Sequence, residues 1–425
     1  MGILIKNVQL LQDKIGTRRD VYIEGSRIAG IDKMPENFTA DETIDGTNRM
    51  MMPGFVNGHT HAYMSVFRNY ADDLPFDEWL FGKIDPLESK MTAEEAYWGN
   101  LLSISEMLHT GTTCFIDQQM FPKMAVKACA DTGMRALITR GLVGSDRNDE
   151  AFTRRLAEAF DEMDYARENS VSNVTFGLGP HAIYTCGGDA IARCAEIAEE
   201  KGLPINIHLT ETQYEFDTCM KEHGMTPVAY LESLGVFKSP TILAHCVYLT
   251  DEDYEILKDP NITVVTNPAS NMKLANGFAP VARMLKEGIR VALGTDGASS
   301  NNALNMFREM TLLSLTQKGA GRDSLALTAE ETMTVALENG YEAIGEAERM
   351  GRIEKGCVAD VILIDETAPN FQPHFNWKAA LVYSSTGTEV TDVLVGGRIL
   401  MRNKVLTTID EERVNYEIRR ITENY

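Results

Sequence analysis

Eight short apolar runs, separated by stretches of helical character, constrain this chain more than any other feature. They lie at 51–56, 112–117, 135–140, 174–179, 205–209, 241–245, 262–266 and 291–295. Short apolar runs between turn signals read as buried strands, and strands alternating with helices imply parallel βαβ units. Eight units in ~300 residues predict an α/β chain built on a (β/α)8 barrel. A doubly wound open sheet is the alternative, but no Gly-x-Gly-x-x-Gly turn follows the first run.

The 425 residues leave room for a second, smaller unit. Stretches 3–10 and 21–28 alternate like strands, and so do 358–365 and 393–400. Glu24-Gly25-Ser26-Arg27-Ile28 is also similar to Val395-Gly396-Gly397-Arg398-Ile399. The pattern predicts one small β-sandwich domain formed by both termini, 1–52 with 356–425, around a barrel at 53–355. Val414, Ile418 and Ile421, at helical spacing, predict an amphipathic terminal helix that docks on the rest.

Composition removes several function classes. A net charge of -22 opposes binding to nucleic acid or an anionic membrane surface. The seven cysteines are odd in number and form no Cys-x-x-Cys, which reads as reduced, buried thiols. No apolar run approaches the ~20 residues of a membrane span, and no basic, apolar leader opens the chain. A cytoplasmic protein is expected.

The chain has only eight histidines, and they sit in telling places. In Gly58-His59-Thr60-His61 the two imidazoles face one way, because strand side chains alternate. An isolated His-x-His is often a bland core or surface pair. Here His208 and His245 also end apolar runs, Asp296 ends the eighth, and His181 follows the fourth. On a barrel all of these fall at the C-terminal strand ends, where active sites lie.

Zinc takes three or four N/O ligands and keeps a position open for water. His59, His61, His208 and Asp296 meet that requirement for one divalent metal, with Fe(2+) or Mn(2+) suited by the same ligands. The water would ionise near neutral pH, Asp296 could accept its proton, and His245 would stand beside it. A carbonyl-capped core histidine is the plainer reading of His245. Glu211, three residues after His208, suits proton transfer to a substrate ring nitrogen if burial raises its pKa. A solvated acid at a helix start is the alternative. No lysine ends the fourth run to bridge two metals, and the cytidine-deaminase signature is absent.

Taken together, Pro53-Gly54-Phe55-Val56-Asn57-Gly58-His59-Thr60-His61, His208-x-x-Glu211, His245 and Thr295-Asp296-Gly297 resemble the amidohydrolase superfamily, in its mononuclear branch of cytosine-, guanine- and chlorotriazine-type enzymes. Leu74-Pro75-Phe76-Asp77-Glu78-Trp79-Leu80, Gly179-Pro180-His181, Asn267-Pro268-Ala269-Ser270-Asn271 and Gly297-Ala298-Ser299-Ser300-Asn301-Asn302 make it most similar to the S-adenosylhomocysteine/5'-methylthioadenosine deaminases. The resemblance implies the metal ligands above, a ring-protonating Glu211, and His245 with Asp296 at the attacking water. It also implies that Glu88 accepts from ribose hydroxyls, that Arg140, His181 and Trp79 contact substrate, and that Arg154 or Arg155 grips a homocysteine carboxylate. The segment 145–153 departs in length from the family pattern.

The implied function is metal-dependent hydrolytic deamination of an adenine nucleoside, giving the inosine-type product and ammonia, in a homo-oligomer. Deamination of a free purine or pterin base (guanine type) and chlorotriazine-type hydrolysis are the alternatives. A catalytically inactive binding protein would show a broken metal shell.

Overall fold

The computed structural model describes residues 1–423 and 425. One parallel sheet follows chain order through eight strands: Phe55–Thr60, Thr112–Gln119, Arg135–Leu142, Val174–Pro180, Ile205–Leu209, Thr241–His245, Ile262–Thr266 and Val291–Leu293. These are barrel strands 1 to 8. Strands 8 and 1 meet through a clasp at the C-terminal rim. The Asp296 N–H donates to the His59 carbonyl at 2.9 Å, the Thr295 N–H to Asn57 Oδ1 at 2.9 Å, and Asn57 Nδ2 to Thr295 Oγ1 at 2.7 Å. The seam is tight enough that a Cβ on Gly58 would stand 2.9 Å from the Leu293 carbonyl oxygen. Only glycine leaves room for the strands to approach.

The first predicted strand is in fact two. Arg49–Pro53 belongs to the small domain, where it pairs antiparallel with Val361–Asp365, and barrel strand 1 begins at Phe55. The break falls at Gly54, whose N–H donates to Asp360, while that of Phe55 donates to Gly111. Both strands are buried, so apolarity runs unbroken across the junction and periodicity cannot register the change of sheet.

Both termini build the small domain. Gly2–Leu10 pairs antiparallel with Arg19–Glu24, and parallel first with Glu42–Asp45 and then with Arg49–Pro53. Its register slips between Ile5 and Val8, with Asn7 in the left-handed region at φ 55°. That bulge lets one strand serve both halves of the β-structure, which pack over Ile3, Ile5, Ile23, Ile44 and Leu363. The C-terminal strands Val390–Val395 and Arg398–Arg402 extend the second half.

Asp360 ties this domain to the barrel. Its buried carboxylate takes Arg135 Nε at 2.8 Å and Nη2 at 3.2 Å, and the Gly396 N–H at 2.6 Å. Replacing it by alanine strands a mostly buried guanidinium, at a cost on the order of 3 kcal/mol. Asp360→Ala should therefore lower the melting temperature in calorimetry while metal content stays at the parent value.

The terminal helix Glu411–Thr422 docks on the barrel helix Ala93–His109. Glu411 accepts from Ser105 and His109, and Arg420 pairs with Glu94 at 2.6 Å. Among the described residues, no helix is long and apolar enough to cross a membrane.

Candidate active site

Strand alternation and strand-end turns bring the predicted ligands together at the C-terminal mouth. His59 and His61, from the end of strand 1, stand with ring centroids 5.0 Å apart. His61 Nε2 lies 3.1 Å from His208 Nε2 and 3.5 Å from Asp296 Oδ1, and His59 Nε2 lies 3.7 Å from that same oxygen. Among the described residues, two overlapping groups have ligand atoms within 4.8 Å of one another: His59, His61 and Asp296, and His59, His208 and His245.

Neighbouring carbonyls select the tautomers. A carbonyl only accepts, so His61 Nδ1 donates to Gln118 at 2.9 Å and His208 Nδ1 donates to His181 at 2.8 Å. In the neutral rings the Nε2 lone pairs are left facing the shared space. Two lone pairs at 3.1 Å repel unless a cation or a proton lies between them. His59 is fully buried, and neither ring nitrogen has a hydrogen-bond partner among the described residues. Burial, followed by the neighbouring His61, drives its pKa well down and holds it neutral. Such a set of imidazole nitrogens beside a carboxylate fits a divalent cation.

The backbone is strained where it delivers these groups. Thr210, His245, Cys246 and Asp296 all have left-handed φ, at 48°, 77°, 48° and 65°. Non-glycine residues there cost roughly 1–3 kcal/mol each and persist only when their surroundings hold them. Here the Cys246 N–H donates to Leu209 at 2.9 Å and the Val247 N–H to Thr210 at 3.0 Å.

Glu211 leaves strand 5 into the same space, buried, with Oε1 3.9 Å from His245 Nε2 and 3.2 Å from Asn276 Nδ2. Burial, reinforced by the Asp296 charge, pushes its pKa up to about 8, which favours the acid form. A solvated acid would show no such shift. Glu215 clamps the turn by accepting the Thr210 and Glu211 N–H groups at 3.1 and 2.9 Å. His245 donates from Nδ1 to Asn271 Oδ1 at 2.8 Å. That leaves its Nε2 turned to the cavity, unlike a carbonyl-capped core histidine.

His61, His208, Glu211, His245 and Asp296 line a cavity of about 940 Å³. Trp79 lies in a π-helical segment, Glu78–Ile84, and donates to the Ser299 carbonyl at 3.3 Å. Glu88 follows on the same wall, its pKa raised by burial, and Oε1 accepts from the Tyr63 hydroxyl. Burial also pushes His181 down to about 3, so it is neutral, with Nδ1 2.9 Å from Thr185 Oγ1. Arg140 reaches the cavity but gives Nε to Glu158 at 2.9 Å and Nη1 to Gly141 at 3.0 Å. The two arginine candidates separate clearly. Arg155 lines the cavity with a buried Nε that has no partner among the described residues, whereas Arg154 is 60% exposed beside Glu158.

Sequence reasoning passed over Tyr63, Gln118, Glu215 and Asp117. Asp117 takes Thr60 Oγ1 at 2.8 Å and the Ala62 N–H at 2.9 Å, gripping the residues on both sides of His61. It ends an apolar run just as Asp296 does, so the signal was present. Gln118 acts through its carbonyl, which no side chain announces.

A parallel barrel with imidazoles and carboxyls converging at its C-terminal mouth has the architecture of a metal-assisted hydrolase. The family model described as the amidohydrolase family matches residues 50–400, and the chain belongs to that family. The 5-methylthioadenosine/S-adenosylhomocysteine deaminase of Caldanaerobacter subterraneus is 41% identical over 427 residues, spanning 100% of this chain and 98% of its own. The protein of the same name from Thermoanaerobacter pseudethanolicus is also 41% identical, over 100% and 99%. Among solved structures, an adenosine deaminase from Xanthomonas campestris with bound zinc superposes with a TM-score of 0.91 at 28% identity, covering 100% of this chain and 98% of that one. An atrazine chlorohydrolase from Arthrobacter aurescens complexed with zinc gives 0.89 at 22% identity, over 99% and 100%, a likeness of fold alone.

Proposed function

We propose that this protein hydrolytically deaminates an adenine nucleoside (5'-methylthioadenosine, S-adenosylhomocysteine or adenosine) at the purine 6-position. The buried Glu211 carboxyl in the cavity, with Oε1 3.9 Å from His245 Nε2 beside the His and Asp cluster, carries the reading. A carboxylic acid kept neutral there can give its proton to a ring nitrogen as water adds to the adjacent carbon. The names of the relatives at 41% identity support the same chemistry.

His59, His61, His208 and Asp296 would hold one divalent metal, zinc in preference to iron or manganese on the precedent of the zinc-bearing adenosine deaminase. When bound, the cation supplies Lewis acidity that makes a water nucleophilic at neutral pH. Asp296 and His245 would orient that water and take one of its protons. Glu211 would protonate the ring, the proton taken from water would pass to the amino group, and as the carbon–nitrogen bond breaks ammonia would leave, the remaining hydroxyl proton returning to Glu211 as the inosine-type carbonyl forms. Trp79 and His181 line the base and sugar positions. Arg140, held by Glu158 and Gly141, supports the wall they occupy.

Glu88 would accept from the ribose hydroxyls, with Tyr63 fixing one oxygen so that the other faces substrate. An analogue lacking those hydroxyls leaves a half-buried carboxylate short of partners, at about 1–3 kcal/mol. Adenosine should therefore outrun 2'-deoxyadenosine in kcat/KM, and Glu88→Ala should shrink that preference with metal content unchanged.

Arg155 rather than Arg154 would meet a carboxylate at the far end of a 5'-substituent. Arg155→Leu should lower kcat/KM for S-adenosylhomocysteine and leave that for 5'-methylthioadenosine near the parent value. Arg154→Leu should change neither.

Ultraviolet assays of the metal-loaded enzyme with adenosine, 5'-methylthioadenosine, S-adenosylhomocysteine, guanine and a chlorotriazine test the whole reading. An adenine nucleoside is expected to be the best substrate. Guanine or the chlorotriazine in that position would overturn the nucleoside assignment.

A further inference from the structure

The carboxyl of Glu309, in the first turn of helix Met306–Gly321, is wholly buried and lies outside the cavity lining. It spans two segments. Oε2 accepts the Ala269 N–H at 2.9 Å, in the first turn of the short helix Pro268–Lys273 after barrel strand 7, and Oε1 accepts Asn301 Nδ2 at 2.9 Å, in the turn after strand 8. Asn301 Nδ2 also donates to the Thr295 carbonyl at 2.7 Å, and its Oδ1 accepts from Arg308 at 3.1 Å. Its donors and acceptor are thus committed in one orientation.

Beside each of these anchor points stands a serine aimed at Asp296. Ser270 follows Ala269 and donates to Asp296 Oδ2 at 2.6 Å, and Ser300 precedes Asn301 and donates to the same oxygen at 2.9 Å. With Oδ2 held by two hydroxyls from separate segments, Oδ1, which accepts the Gly297 N–H at 2.7 Å, is the oxygen turned to His59 and His61. The arrangement matters because Asp296 sits at a left-handed φ of 65°, a conformation that surrounding contacts must hold.

We propose that Glu309 is a positioning residue for the metal-binding carboxylate, stapling the short helix after strand 7 to the turn after strand 8 so that Ser270 and Ser300 together fix Asp296. The proposal rests on Asp296 being a ligand. Glutamine at 309 keeps the volume but offers one acceptor oxygen where two are used, so one of the two segments is released. Partners in the shell outside metal ligands typically change metal affinity or activity by ~10–100-fold.

The test uses zinc-loaded enzyme and an excess of a chromogenic chelator, reading zinc transfer without substrate, alongside kcat and KM for the best nucleoside. Glu309→Gln should speed zinc transfer and lower kcat, each by ~10–100-fold, with KM within a few-fold. In a Ser270→Ala/Ser300→Ala background the same substitution should add less than ~2-fold to zinc transfer, because it acts through those serines. Parent-like transfer in Glu309→Gln overturns the proposal, and so does an undiminished effect in the serine-free background, which would mean general loosening. Should Glu309→Gln fail to fold, Asn301→Ala cuts the Ser300 arm, together with its bond to the Thr295 carbonyl, and leaves the Ala269 arm in place. It should speed transfer by a smaller factor, and a parent-like rate there is equally fatal. Asp296→Ala separates the two levels of the argument. If that variant keeps zinc at the parent rate, the ligand assignment itself falls; if it loses zinc while Glu309→Gln does not, only the staple is wrong.

Discussion

Glu211→Gln is expected to keep its metal and lose deaminase turnover by ~10²–10⁴-fold, the usual contribution of a positioned general acid or base. The amide keeps the shape and can still pair with Asn276, whose side chain lies 3.2 Å from Oε1. What it lacks is the exchangeable acidic proton. The sign of the pH dependence follows from the shift. Glu211 has its pKa raised from 4.5 to about 8, chiefly by burial, so the acid form is present below the folded pKa and is lost as pH rises through it. A bound cation favours the carboxylate and draws that midpoint downward. The parent should show an alkaline fall in kcat that the residual activity of Glu211→Gln lacks. Elemental analysis, single-turnover rates and the two pH profiles check this together. A variant within a few-fold of the parent rate would mean that another group protonates the ring.

His208→Ala should abolish both stoichiometric metal and activity. One imidazole disappears from the cluster, and His61 Nε2, now 3.1 Å from it, loses the partner with which it would share a cation. Lewis-acid assistance is worth several kcal/mol, and at about 1.36 kcal/mol per tenfold the fall in kcat/KM should be ~10³-fold or more. A ligand that binds only the folded state also stabilises it. Chelator should therefore lower the melting temperature of the parent and leave that of His208→Ala unmoved. Two tightly bound metals per active parent chain, or full activity in metal-free His208→Ala, would contradict the mononuclear reading.

Much of the barrel was legible because a parallel strand buried on both faces writes a continuous apolar run. The runs at 112–117, 205–209 and 241–245 all lie on observed strands, and the residues that interrupt apolarity at their ends are those at the mouth. The same property hid the junction at Gly54, where two buried strands from different sheets abut. The small domain announced itself through its paired hairpins. The strand switch inside Gly2–Leu10, by contrast, depends on a bulge that alternation does not show.

Residue chemistry and chain order by themselves narrowed which side chains could share a metal, since five of the eight histidines fall at or just after strand ends. Only the tertiary structure decided how each is held. Gln118 and His181 set imidazole tautomers through backbone carbonyls, which carry no side-chain identity. Tyr63 meets Glu88 across 25 residues, and Glu309 reaches Ala269 across 40. Arg155 faces the cavity and its neighbour Arg154 faces solvent because adjacent positions on a helix point about 100° apart. Hydrophobic period records which face of an element is buried; contacts made by closing a barrel join residues that no local period connects.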